Sequence, residues 1–505
     1  MLLELIVLAI FSIFLYYFAY YVVLPKYRMQ FYKNQGLKEY EFRPVYGWLT
    51  DITLMKRNQW NDCLYYIKRL SQNPDYKDQD IILSNLADQA LLTLINPELI
   101  NEFLQRQNEY IKYQLPVQGI EDFLGNGLSR QYGEKWKNGR KVISNMFTFE
   151  NITAQLQRVK EISRKYINNE DTEKFNIKYV FEKISGSQNL QVLLGAEVEK
   201  YKDSEGRHLG ECVQQLSNDI CALYISPFAM IFGQKILKWN LREADRQIQK
   251  RMKDMRELMT KILIDCVNHE KDPSYEAKFP SYITFLLRAG YLQTDEEIND
   301  LRATAFSIFL GAKESTSKLA NMTIYNLIKH PEQYKLVYDE IQKYVSHDDY
   351  NYLDIQKLNH LQANIKETQR TDPSSAFLRL RVAQNDHTLG KYQIKKGSII
   401  NVGYLANFYN EKYFRDPFTY NPSRWFDKQE DLKIKENHFV FIPFSAGSRN
   451  CIGQHLATMQ IKVMIVEFIK KFHLPQIPPD FDDEKTMIQS YGFKNPLIVK
   501  LQKRS

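Results

Sequence analysis

The segment from Leu2 to Leu24 reads LLELIVLAIFSIFLYYFAYYVVL and carries one charge, Glu4. As a helix it would reach roughly 34 Å, enough to cross the apolar interior of a bilayer. Tyr16, Tyr17, Tyr20 and Tyr21 gather at its far end, as aromatic side chains do at a membrane–water boundary. Pro25 is expected to stop the helix, and Lys26, Arg28 and Lys33 follow it. A cleaved signal peptide would want a basic start, a shorter apolar core and a small-residue cleavage site, which this stretch lacks. Residues 2–24 are therefore expected to be a retained transmembrane anchor and residues 25–50 a linker. The positive flank would hold the remainder on the cytoplasmic side. No later stretch matches this one in length and apolarity, so the rest reads as a body tethered once.

That body is mostly helical in its periodicity. Between about Asn151 and Lys343, apolar residues recur at three- and four-residue spacing. Thr294-Asp-Glu-Glu297 is a capping box, in which Thr294 and Glu297 satisfy each other's backbone donors. The helix it opens is expected to run to His330, where Pro331 begins another. Such length suits a helix that crosses the core. After Pro373 the pattern changes, and LRLRVA, TLGKYQI and GSIINVGYL read as short strands between turns. No internal repeat or linker divides residues 51–505. We expect one large domain, mainly α with a small β region.

Charge and cysteine count narrow the function. The 68 basic and 60 acidic residues leave a net +8 spread along the chain. With no nucleic-acid motif beside it, that excess reads as a solvated surface, and no nucleic acid is expected as a partner. The five cysteines, Cys63, Cys212, Cys221, Cys266 and Cys451, are widely spaced and include no CxxC pair. This argues against a disulfide framework or a zinc site and for a reducing compartment.

One cysteine has chemical surroundings. It lies in Phe444-Ser-Ala-Gly-Ser-Arg-Asn-Cys-Ile-Gly453. A thiolate ligand must be held still, shielded, and tuned by backbone N–H groups aimed at the sulfur. Gly447 and Gly453 would permit a tight turn and the close approach of a flat macrocycle. Arg449 could pair with a carboxylate on that cofactor. The run that follows, from His455, can start a helix whose N-terminus points at Cys451.

The segment resembles the haem-binding loop of the cytochrome P-450 family, F-x-x-G-x-R-x-C-x-G, and matches it at Phe444, Gly447, Arg449, Cys451 and Gly453. The resemblance implies the cytochrome P-450 fold around heme b (iron protoporphyrin IX), with Cys451 as the metal ligand. Further matches occur in order along the chain. Trp136 and Arg140, four apart and so on one side of a helix, resemble the W-x-x-x-R element that holds a haem propionate. Either Arg379 or Arg381 would supply another propionate contact, and the register with Val382 favours Arg381. Glu367 and Arg370 face one another in a helix and resemble the E-x-x-R pair. Arg424, in Pro417–Trp425, would join them in a buried charge cluster that fixes the fold and does no redox chemistry.

Gly311-Ala-Lys-Glu-Ser-Thr316 resembles [A/G]-G-x-[D/E]-T-[T/S], with alanine for the usual glycine and serine for the usual threonine. Oxygen activation needs protons delivered while bulk water is kept away. Ser315 can bond the Gly311 carbonyl and open a groove in the helix. Glu314 would back that hydroxyl, and the choice between Ser315 and Thr316 is left open. The position after the E-x-x-R arginine is Thr371 where leucine is usual, and few prolines follow the anchor.

The resemblance implies a monooxygenase that inserts one atom of dioxygen into an apolar, lipid-like or xenobiotic substrate. The sequence has no flavin or nicotinamide fingerprint, so electrons would come from an NADPH-dependent flavin reductase, with cytochrome b5 as a further partner. Lys135, Lys137 and Lys141 are candidates for an acidic partner's docking face. Ser307, Leu310 and Gly311 would line the pocket, and Ile120–Ser129 and Ser374–Phe377 would close it. The expected location is the endoplasmic reticulum membrane, with the body cytoplasmic. Two rivals are a reductase-independent haem-thiolate isomerase or dehydratase, and a non-enzymatic haem-binding protein. The Glu314–Ser315 pair argues against both.

Overall fold

The computed structural model describes residues 2–45, 47, 64–113, 127–195, 200–224, 239, 242–272, 280–375, 380–428, 434, 436–488 and 490–504. Its chain folds into two compact units. The first takes Met1–Leu115, Phe377–Thr419 and Lys428–Asn450, and the second Pro116–Ala376, Tyr420–Asp427 and Cys451–Ser505.

In the first unit the amino-terminal helix does not stop at Pro25. An α-helix over Leu2–Phe18 passes into a π-helical turn over Ala19–Val23 and resumes as α-helix over Leu24–Lys33. The amide of Leu24 donates to the Ala19 carbonyl, five residues back. Pro25 thus enters in the first turn of a new α segment, where its missing N–H costs least. The stretch Leu3–Lys33 is long and apolar enough to cross a membrane, and only 6% of its most apolar window is buried.

Behind this helix lies a five-stranded sheet. Its strands run in the order Ile81–Leu86, Gln89–Leu94, Ile399–Val402, Arg381–Ala383, Tyr110–Lys112. The first two form a hairpin in which Leu86 pairs with Gln89. The second meets Ile399–Val402 in parallel, with Leu91 opposite Ile399. The expected strands after Pro373 are present, with His387–Leu389 and Tyr392–Ile394 as a separate hairpin.

The second unit is built on helices. The capping box at Thr294 and Glu297 is in place, and the helix it opens runs Asp295–Lys329, capped at His330. Pro331 begins the next helix, Pro331–Val345. The long helix spans roughly 52 Å, and from Thr316 to Ile328 every side chain is buried. Ile177–Leu194, Gln454–Lys471 and Asn359–Thr371 all pack against it. A helix surrounded in this way must satisfy its polar groups internally. Thr323 donates to the Leu319 carbonyl at 2.8 Å, and Lys318 to the Ser490 carbonyl at 2.9 Å.

Candidate active site

Cys451 is exposed and in no disulfide. Two residues on, Gly453 forms the N-cap of the helix Gln454–Lys471. That helix is fixed in place by its buried face, which includes Leu456, Met459, Val463 and Phe468. The positive end of its dipole therefore lies beside the sulfur, where it favours the thiolate. Arg140, on the helix Gly133–Ser144, is near enough to feel that sulfur. Burial pulls its guanidinium below its usual range, and Cys451 acts in the opposite sense. Trp136 shares its half-buried face, whereas Lys137 and Asn138 between them are exposed.

The loop before the cysteine belongs to the first unit. Gly447 has φ +73°, and a Cβ there would stand 2.9 Å from the Leu104 carbonyl oxygen, so the position requires glycine. Ser445 is also left-handed, at φ 62°. Gly453 lies in a turn, as expected, but at φ −86°, which any residue can adopt, and among the described residues a Cβ there would meet Phe147, at 3.7 Å. Phe444 and Arg449 are half-buried in the same unit. So is Arg381, whose Nη1 donates to the Leu380 carbonyl at 3.0 Å.

On the long helix, Ser307 and Leu310 are half-buried and Gly311 is exposed. A Cβ on Gly311 would meet nothing within 4 Å. Ser315 donates to the Gly311 carbonyl at 2.6 Å, so this hydroxyl lies on the open face. Thr316 is 2% exposed, and its hydroxyl has no hydrogen-bond partner among the described residues. Glu314 turns the other way. Its carboxylate lies 3.3 Å from Lys318 Nζ and 3.7 Å from Lys313 Nζ, and accepts from Ser490 Oγ at 3.4 Å. No direct bond joins Glu314 to Ser315 among the described contacts, so the carboxylate does not back that hydroxyl in the simple way the motif suggests. Gly127 abuts this helix, since a Cβ there would stand 2.6 Å from the Ala303 carbonyl. The Leu128 amide donates to Thr304 Oγ1 at 3.0 Å. Residues 120–126, Ala376 and Phe377 of the expected pocket-closing segments, and Arg379, lie outside the described residues.

Glu367, Arg370 and Arg424 come together, at 0%, 0% and 2% exposure. Glu367 accepts from Arg370 Nη2 at 2.8 Å and from Arg424 Nε at 3.1 Å. It also accepts from the Asn421 amide at 2.9 Å and Trp425 Nε1 at 3.0 Å. The last two partners are absent from the sequence reading. A tryptophan beside a motif arginine was the available signal, because a buried indole N–H needs an acceptor.

The candidate docking lysines differ among themselves. Lys135 pairs with Asp300 at 2.5 Å, and Lys137 with Glu134 at 2.6 Å. Lys141 is exposed near the end of the same helix.

An exposed thiol at a helix N-terminus, a half-buried guanidinium beside it and an open glycine on a core-crossing helix fit a haem held by a cysteine thiolate. Comparison with known proteins gives the family. Residues 53–498 match the family model described as Cytochrome P450, and the chain belongs to the cytochrome P450 family of haem-thiolate monooxygenases. It is 27% identical over 433 residues to the probable cytochrome P450 508C1 of Dictyostelium discoideum, covering 82% of this chain and 84% of that one. It is 26% identical over 453 residues to cytochrome P450 4F6 of Rattus norvegicus, covering 85% and 81%. The mitochondrial cholesterol side-chain cleavage enzyme of Hypanus americanus is 24% identical over 378 residues, covering 70% and 68%. The crystal structure of the cytochrome P450DA heme domain shares the fold, with TM-score 0.70 and 16% identity over 88% of this chain and 93% of that one.

Proposed function

We propose that the chain is a membrane-anchored monooxygenase that takes apolar substrates and draws electrons from a separate NADPH-dependent flavin reductase. The observation that carries this reading is Cys451, exposed at the N-terminus of a buried helix and close to Arg140. Cys451 would hold b-type haem as its thiolate ligand, with Trp136, Arg140, Arg381 and Arg449 meeting the propionates and Phe444, Gly447 and Gly453 shaping the loop. When bound, the haem supplies activation of dioxygen and transfer of one oxygen atom to substrate.

The residues of the chain do the rest. Ser307, Leu310 and Gly311 offer a largely apolar wall to the substrate. Ser315, on the open face beside Gly311, is the hydroxyl placed to pass a proton, and Thr316 is buried away from it. Glu314, held between two lysines, is the carboxylate nearest in sequence and would exchange with Ser315 through water. Glu367, Arg370 and Arg424 fix the fold. The apolar helix Leu3–Lys33 favours a single membrane anchor, and the endoplasmic reticulum with a cytoplasmic body is the location we assign. Cytochrome b5 is a second candidate electron donor.

The test is turnover under labelled dioxygen of a panel of fatty acids, sterols and foreign compounds, with NADPH and added reductase. One labelled oxygen atom in a product, dependent on reductase, is expected. Products formed at full rate without reductase or dioxygen would overturn the reading in favour of an isomerase or dehydratase.

A further inference from the structure

The end of the amino-terminal helix is built into the first unit. Met29 and Tyr32 are each 1% exposed, and their segment packs against the hairpin Ile81–Leu86 and Gln89–Leu94. Arg28 donates through Nη1 to the Asp88 carboxylate and, at 2.7 Å, to the Asp88 carbonyl. The Tyr20 phenol reaches the same carboxylate. Tyr32 shares a hydrogen bond with Ser398 at 2.6 Å and accepts from the Lys395 amide at 3.0 Å. Just past the helix, Gln35 accepts from the Gln393 amide at 2.7 Å and donates to its carbonyl at 3.2 Å. These contacts span residues 20–35, where a flexible linker would leave the chain to water.

Lengths agree with this. From Leu2 to Tyr21 the helix rises roughly 30 Å, the depth of a bilayer's hydrocarbon core. Tyr20 and Tyr21 then fall at the far boundary, and the Ala87–Asp88 turn, tied to Tyr20 and Arg28, falls at the headgroups. Hinging the helix there would break the Arg28–Asp88 pair and return the buried Met29 and Tyr32 side chains to water.

We propose that residues 2–33 form one rigid strut joined to the five-stranded sheet, so that a phospholipid bilayer holds the first unit at a single fixed orientation. This rests on the anchor reading given above. The test uses the full-length haem protein in phospholipid nanodiscs, with nitroxides introduced through an encoded keto amino acid at Leu8 and Gln393. Both positions are exposed, and Gln393 sits beside Gln35. Pulsed dipolar spectroscopy should give one narrow distance near roughly 38 Å, the helical rise from Leu8 to Lys33. The double variant Arg28→Ala, Tyr32→Ala should broaden it. A broad or much shorter distribution in the otherwise unaltered protein, still bound to the discs, would overturn the strut and leave the anchor standing. Protein that elutes apart from the discs would overturn both.

Discussion

Lys318 Nζ lies 3.3 Å from Glu314 Oε2, one turn along the same helix, with both side chains buried. The carboxylate next to the motif hydroxyl is therefore a member of a buried charge group with Lys313 and Ser490. Its orientation is set by packing, and water must carry any exchange with Ser315.

Replacing Lys318 by Met should destabilise the protein by about 1–3 kcal/mol, because Glu314 then loses its nearest cation among the described residues. Adding Glu314→Gln should recover much of that loss. Urea unfolding of the two single variants and the double variant measures the coupling. Strictly additive effects would contradict the pairing.

The two adjacent hydroxyls should separate cleanly. Ser315→Ala is expected to lower the yield of product per NADPH by about tenfold or more, with hydrogen peroxide released instead. Thr316→Val removes a buried hydroxyl that has no partner among the described residues. It should change stability by under about 0.5 kcal/mol and leave the yield unchanged. Parallel assays of NADPH, product and peroxide check both outcomes.

Glu367→Gln should cost about 3–5 kcal/mol, since two buried guanidinium groups lose their shared carboxylate. Thermal unfolding should register this as a large drop in midpoint, with less haem retained on purification. A midpoint within a degree of the unaltered protein would show that the cluster is not structural.

Much of this site was legible because its signals are local. The capping box at Thr294, the Ser315–Gly311 spacing and the i, i+3 pair Glu367–Arg370 follow from helical geometry alone. The hairpin Ile81–Leu94 gave no such signal. Its first strand is buried throughout and shows no alternation, and its turn uses Ala87 at φ 52° where glycine or asparagine is the usual mark. Its parallel partner, Ile399–Val402, lies some three hundred residues on, beyond any local pattern. Pro25 misled for a related reason. A proline marks a break in a regular α-helix, but a π-helical turn ahead of it absorbs the missing donor. Glu314 shows a third limit: the motif places its backbone, while Lys318 and the distant Ser490 decide where its carboxylate points.

A buried lysine gives the fold a pH signature. Burial pushes Lys462 down to about 8, and its Nζ donates to the Ile355 carbonyl at 3.2 Å. Between about pH 8 and 10.5 the unfolded chain binds this proton and the folded chain does not, so the group's contribution to stability rises with pH there. Relative to Lys462→Met, the unaltered protein should gain on the order of 1–3 kcal/mol across that window. Urea unfolding at pH 7.5, 9 and 10 checks the difference, and parallel curves would contradict it.

The most direct test of Cys451 as the haem ligand is the carbon monoxide difference spectrum of the dithionite-reduced protein, recorded beside Cys451→Ala. Thiolate ligation by Cys451 predicts a strongly red-shifted Soret band that is lost in the variant. Stoichiometric haem with no such band in the unaltered protein would contradict it, because Cys451 would then not be the ligand.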